Sequence, residues 1–154
     1  MNFIKKFLLL LFLIPLFFLS TSNVQAATQT WDGEGEDNLW STCDNWGPNN
    51  VCPAVGDTVI FSDASAKDSV IDLPEIYRIE VQSNYSGIIT IAAENALTVH
   101  TIQLNGGTFT GSDAELSVEV PNLSGGTFNA PTGQLTIRRI FNHTESTFNH
   151  NGGS

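Results

Sequence analysis

Leu104-Asn105-Gly106-Gly107-Thr108-Phe109-Thr110 returns nineteen residues later as Leu123-Ser124-Gly125-Gly126-Thr127-Phe128-Asn129, and Ser146-Thr147-Phe148-Asn149 follows twenty after that. A second track keeps step: Leu97-Thr98-Val99, Leu116-Ser117-Val118 and Leu135-Thr136-Ile137 are also nineteen apart. A fainter copy, Ser86-Gly87-Ile88-Ile89-Thr90, places Ile89 twenty residues before Phe109. Two short strands returning at fixed phase are the mark of a winding chain, one coil per repeat. Equivalent residues then stack about 4.8 Å apart. Phe109, Phe128 and Phe148 are expected to form one buried ladder, and Leu97, Leu116 and Leu135 another.

Working outward, the rest of the chain after residue 26 reads as all-β. Apolar residues alternate in short runs rich in Val, Ile, Thr and Phe, interrupted by Gly, Asn and Ser. The clearest strands are Val59–Phe61, Tyr77–Val81, Ile88–Ile91, Leu97–Val99, Leu116–Val120 and Leu135–Ile137, with the prolines, Pro121 among them, between or at the ends of these runs. The expected fold is a right-handed β-helix-like solenoid with coils of 19–20 residues. The alternative is an antiparallel β-sandwich whose hairpins resemble one another by chance.

Residues 1–26 carry Lys5 and Lys6, then the uncharged apolar run Phe7–Leu19, then a polar stretch ending Val24-Gln25-Ala26. That is the pattern of a secretory signal, too short in its apolar run to span a bilayer comfortably and with small residues at −3 and −1, so cleavage is expected after Ala26. The organisation expected is a signal at 1–26, an N-terminal cap at 27–63 and solenoid repeats at 64–154. The last residues stop partway into a further repeat, from which a longer array is expected.

The signal holds two of the six basic residues and none of the sixteen acidic ones, so its removal takes the net charge from −10 to −12. So acidic a surface repels phosphate backbones and anionic lipid, which argues against nucleic acid and, after signal cleavage, against membranes as partners. Cys43 and Cys52 are the only cysteines. An even pair in an exported chain points to a disulfide closing a short loop.

All three tryptophans, Trp31, Trp40 and Trp46, lie in the cap, where large rings can cover the open end of a repeat core. The same rings could instead make a sugar-stacking platform with Asp44 and Asn45 as polar partners. The acidic run Asp32, Glu34, Glu36 and Asp37, with Asp44, supplies oxygen ligands of the kind Ca²⁺ takes, although the spacing is not that of an EF-hand; the other reading is a solvated turn with Asx-type capping. No other cofactor is expected. For catalysis, Asp113, Glu115 and Glu119 fall within one coil and Arg138-Arg139 is the only basic pair after residue 26. Glu115 and Glu119 share strand parity and are expected to face solvent together. His100, His143 and His150 are dispersed with no triad motif, so no catalytic residue is assigned.

The order Trp31-Asp32-Gly33, Trp40-Ser41, Asn45-Trp46, Pro53, then Gly56-Asp57-Thr58-Val59-Ile60-Phe61, followed by Gly-Gly-Thr-Phe and Leu-Thr-Val strings, resembles the opening of bacterial autotransporter-like and other surface β-helix proteins. The resemblance covers nearly the whole chain after the signal, and its motifs mark architecture rather than activity. It implies a secreted or cell-surface structural or adhesive scaffold facing an extracellular glycan or a neighbouring cell. The competing expectations are the first part of a secreted polysaccharide-active β-helix enzyme and a carbohydrate-binding module using the tryptophans.

Overall fold

The computed structural model describes residues 26–153; the secretory-signal reading of residues 1–25 lies outside them. Thirteen strands wind as a solenoid: β1 (Thr28–Trp31), β2 (Trp46–Gly47), β3 (Thr58–Phe61), β4 (Ser69–Ile71), β5 (Glu75–Val81), β6 (Ile88–Ile91), β7 (Leu97–Leu104), β8 (Thr108–Thr110), β9 (Leu116–Leu123), β10 (Thr127–Asn129), β11 (Leu135–Ile137), β12 (Asn142–His143) and β13 (Thr147–Asn149). One sheet runs β11-β9-β7-β5-β3-β1-β2 with β12 also on β9, and the other runs β13-β10-β8-β6-β4. Every pairing between coils is parallel. A sandwich of hairpins requires antiparallel neighbours, so the alternative architecture is excluded.

The register is the one the repeats demand. Leu97 pairs with Leu116 and Leu116 with Leu135, while Phe109 pairs with Phe128 and Phe128 with Phe148. The rings stack nearly parallel, 5.3 Å apart and then 5.6 Å. Burial declines towards the last coil. Leu97, Leu116, Phe109 and Phe128 are buried, whereas Leu135 and Phe148 are only partly so and Ile140 and Phe141 are exposed.

Each long strand bends once. In β7, Val99 and Ile102 both face the core while His100 and Thr101 between them both face out, and β9 repeats this with Val118, Glu119, Val120 and Pro121. Two consecutive outward residues break the period of two and turn the chain onto a new face. Pro121 thus lies inside β9, opposite Ile102, rather than at a strand end. With the Gly-Gly corner before β8 and β10 and a polar corner after them, each coil has three sides. At the Gly-Gly corner Gly107 and Gly126 take φ of 59° and 66°, which side-chain-bearing residues seldom adopt.

From β3 onward coils are spaced by 19 or 20 residues except at one step: Glu75 pairs with Thr98 and Arg78 with Thr101, an offset of 23. The difference lies in the corners, since Ile71 pairs with Ile91 at an offset of 20. Asn95 fills the wider corner by donating to the carbonyls of Ile71 and Leu73 at 3.2 and 3.0 Å.

The cap is continuous with the coils. β1 and β3 are rungs of the same sheet as β5. β2 lies antiparallel on β1 and occupies the first edge of the sheet, which would otherwise offer unpaired amides and carbonyls to another chain. Cys43 and Cys52 are disulfide-bonded, with Cα atoms 4.3 Å apart.

Candidate functional site

The cap residues singled out in the sequence prove to be structural. Trp31, Trp40 and Trp46 are each 0% exposed and pack edge-to-face with ring centroids 5.2–5.3 Å apart, above Phe61. Two indole N–H groups donate to backbone carbonyls, Trp31 to Lys67 and Trp46 to Trp40. The third, on Trp40, lies among the rings without a partner. No ring face is open, so the sugar-stacking reading of these tryptophans does not fit. What they do is close the core, and geometries of this kind add about 0.5–1.5 kcal/mol per pair beyond burial.

The acidic run is likewise turn chemistry. Asp32 accepts from the Glu34 amide and Asp37 from the Leu39 amide, each two residues on, as Asx turns do. Asp37 also accepts from the Thr42 hydroxyl at 3.0 Å. These hydrogen bonds, the Leu39 amide foremost, hold the Asp37 carboxyl below its ordinary value. Asp44 accepts from the Asn50 side chain. Buried Asn45 accepts from the Gly35 amide and donates to the carbonyls of Asp37 and Leu39.

The place a cation would take in this loop already holds one. Lys67 sends its Nζ to the carbonyls of Gly33, Gly35 and Asp37 at 3.0, 2.9 and 3.0 Å. Asp32, Glu34, Glu36 and Asp37 do not converge, and among the described residues no group of three or more His, Cys, Asp or Glu side chains is placed to hold a metal ion. The loop is organised around an ammonium.

The place where polar and aromatic side chains do gather is a cleft of about 270 Å³ along the outer bend, reaching from Val55–Gly56 across Tyr77, His100 and Glu119 to Arg138. Tyr77 and His100 sit one above the other in successive coils, ring centroids 4.8 Å apart and nearly parallel, and Tyr77 is 48% exposed. Below them His100 Nδ1 lies 2.6 Å from Glu119 Oε2, which also lies 3.3 Å from Arg139 Nε. That oxygen is buried and has no hydrogen-bond partner. Arg138 Nε donates to Ser117 Oγ at 2.9 Å. Glu75 lines the same cleft.

Glu115 and Glu119 share the outward side, as their parity requires, but are engaged differently: exposed Glu115 accepts from the Thr136 hydroxyl, while Glu119 lines the cleft. His143 stands apart, beside Phe141 and Phe148. Tyr77 carries no sequence signal distinguishing it from other strand aromatics; only the register of β5 on β7 puts it over His100.

The chain matches no protein-family model, no curated protein and no solved structure.

Proposed function

We propose that this chain is an exported, non-catalytic β-solenoid scaffold that works by presenting its lateral surface, with the outer-bend cleft as the contact for an extracellular glycan or a neighbouring cell surface. The observation that carries this reading is the line Tyr77–His100–Glu119–Arg138, four outward residues of successive coils held on one rigid face. Aromatic faces stack on sugar rings while flanking carboxylate, guanidinium and hydroxyl groups hydrogen-bond them. The resemblance to bacterial surface β-helix proteins points the same way. The test is a glycan array probed with the chain from Ala27 onward and with Tyr77→Ala. Retention of the native chain by a polysaccharide, lost in the variant while its melting temperature holds, supports the reading; no retention on any glycan or cell surface rejects it.

One observation favours a second reading, a polysaccharide-active enzyme. Glu75 and Glu119 line a single cleft, and glycosidic acid–base chemistry uses a pair of carboxyl groups. Release of reducing ends from a polysaccharide, abolished in His100→Gln and Glu119→Gln, would replace the scaffold by the enzyme.

A further inference from the structure

The cap holds a buried carboxylate with no side-chain cation. Asp57 is 4% exposed. Its Oδ2 accepts from the Ala54 amide at 2.9 Å and its Oδ1 from the Ala27 amide at 2.7 Å. The nearest guanidinium in the sheet, that of Arg78, is directed instead at Glu80 and Gln103, and among the described residues Asp57 makes no salt bridge. A carboxylate taken out of water without a countercharge is costly.

Ala27 is also the first residue tied into the sheet. Its carbonyl accepts from the Thr58 amide at 2.9 Å, and β1 begins at Thr28. Ala26, Ala27 and Thr28 are all exposed, so a peptidase can reach the bond between the alanines. The same bond is the one the Val24-Gln25-Ala26 pattern marks for cleavage.

We infer that removal of the signal after Ala26 turns the Ala27 nitrogen into the missing countercharge, an ammonium seated on the Asp57 carboxylate. A signal peptidase adds water across the Ala26–Ala27 bond. Ala26 leaves as a carboxylate, and Ala27 keeps its nitrogen as –NH₃⁺. Before cleavage that nitrogen gives Asp57 one amide N–H; afterwards it gives an N⁺–H to the same carboxylate, adding the attraction of opposite charges in a buried site. The cap thus tightens only once the chain has crossed the membrane, and the precursor stays looser. This rests on the export reading above.

The experiment compares chains that start at Ala27, released from a cleavable fusion, with free and with acetylated α-amines, in the native sequence and in Asp57→Asn. Acetylation keeps an N–H and removes the charge. The unfolding equilibrium constant in urea is expected to rise about fivefold or more on acetylation of the native chain and to change less than about twofold in Asp57→Asn. Native chains insensitive to acetylation, or equal sensitivity in both backgrounds, overturn the inference. Should Asp57→Asn fail to fold, one glycine added before Ala27, which displaces the charge, must reproduce the acetylation effect in the native sequence, and its failure to do so overturns the inference equally. N-terminal sequencing of the exported protein separates the two levels. A start elsewhere than Ala27 removes the cleavage reading and this inference with it, whereas a start at Ala27 with acetylation-insensitive stability removes only the inference.

Discussion

Phe109 and Phe128 lie ring over ring, 5.3 Å between centroids and 3° between planes, although nineteen residues separate them. Phe148 continues the column beneath. Each ring fills the space between its neighbours, so a truncation in the middle of the column leaves a cavity that the backbone ladders on either side keep open. Phe128→Ala is expected to cost about 3–5 kcal/mol, and Phe148→Ala, at a partly exposed position, clearly less. Urea unfolding followed by near-UV circular dichroism measures both, and equal losses would contradict the gradient of burial.

The Gly125-Gly126 corner has no room for a side chain. A Cβ on Gly126 would stand 2.5 Å from the carbonyl oxygens of Gly106 and Gly107 in the coil above, at a φ of 66°. Gly126→Ala is therefore expected to destabilise by more than the roughly 1–2 kcal/mol of left-handed strain alone. Thermal melts compared with those of Gly56→Ala, where φ is positive but nothing lies within 4 Å, separate the clash from the strain.

Lys67→Met keeps the aliphatic stem and deletes the ammonium that three carbonyls share. The expected loss is about 1.5–3 kcal/mol, the range for hydrogen bonds to a charged group, with faster amide exchange across residues 33–39. Neither EDTA nor millimolar Ca²⁺ should move the melting temperature of the native chain. A rise with Ca²⁺ in the native chain would restore the metal reading of this loop.

Folding lowers the carboxyl of Asp37 below its ordinary value of about 3.9, so its contribution to stability is complete above that value and disappears as the pH falls through the lower folded one. Asp37→Asn should be less stable than the native chain at pH 6, and the gap between the two melting temperatures should begin to narrow below about pH 3.9 and close only below the lowered folded value. A gap that persists unchanged at low pH would show that charge is not what Asp37 contributes.

The disulfide ties Cys43 to Cys52 across a short loop. Replacing both by alanine is expected to cost about 2–3 kcal/mol from the added freedom of the unfolded chain. The loss should appear first as exchange and proteolysis in residues 40–55, with the later coils still protected. Loss of protection throughout would mean that the cap and coils unfold as one unit.

The winding was legible because identical residue types recur at equivalent positions. Leu97, Leu116 and Leu135 can be read as a column without knowing anything of the backbone. The cleft was not legible, because it depends on where the period of two fails. At His100–Thr101 and Glu119–Val120 two consecutive residues face outward, and no turn residue announces it. The same blindness hid the wider corner filled by Asn95. In the cap, sequence supplied the right residues with the wrong exposure: three tryptophans and a run of acids are as suited to binding as to packing, and only burial of the rings and the reach of Lys67 from thirty residues away decide between them.

Because Tyr77, His100 and Glu119 occupy one line on successive turns, the outer bend is a ruler whose marks are set by backbone spacing rather than by side-chain choice. Inserting or deleting a whole turn would lengthen or shorten that scale by one mark and leave every other mark in place. Reach along a repeating polymer could then change in steps, while the chemistry at each step is altered independently by a single substitution.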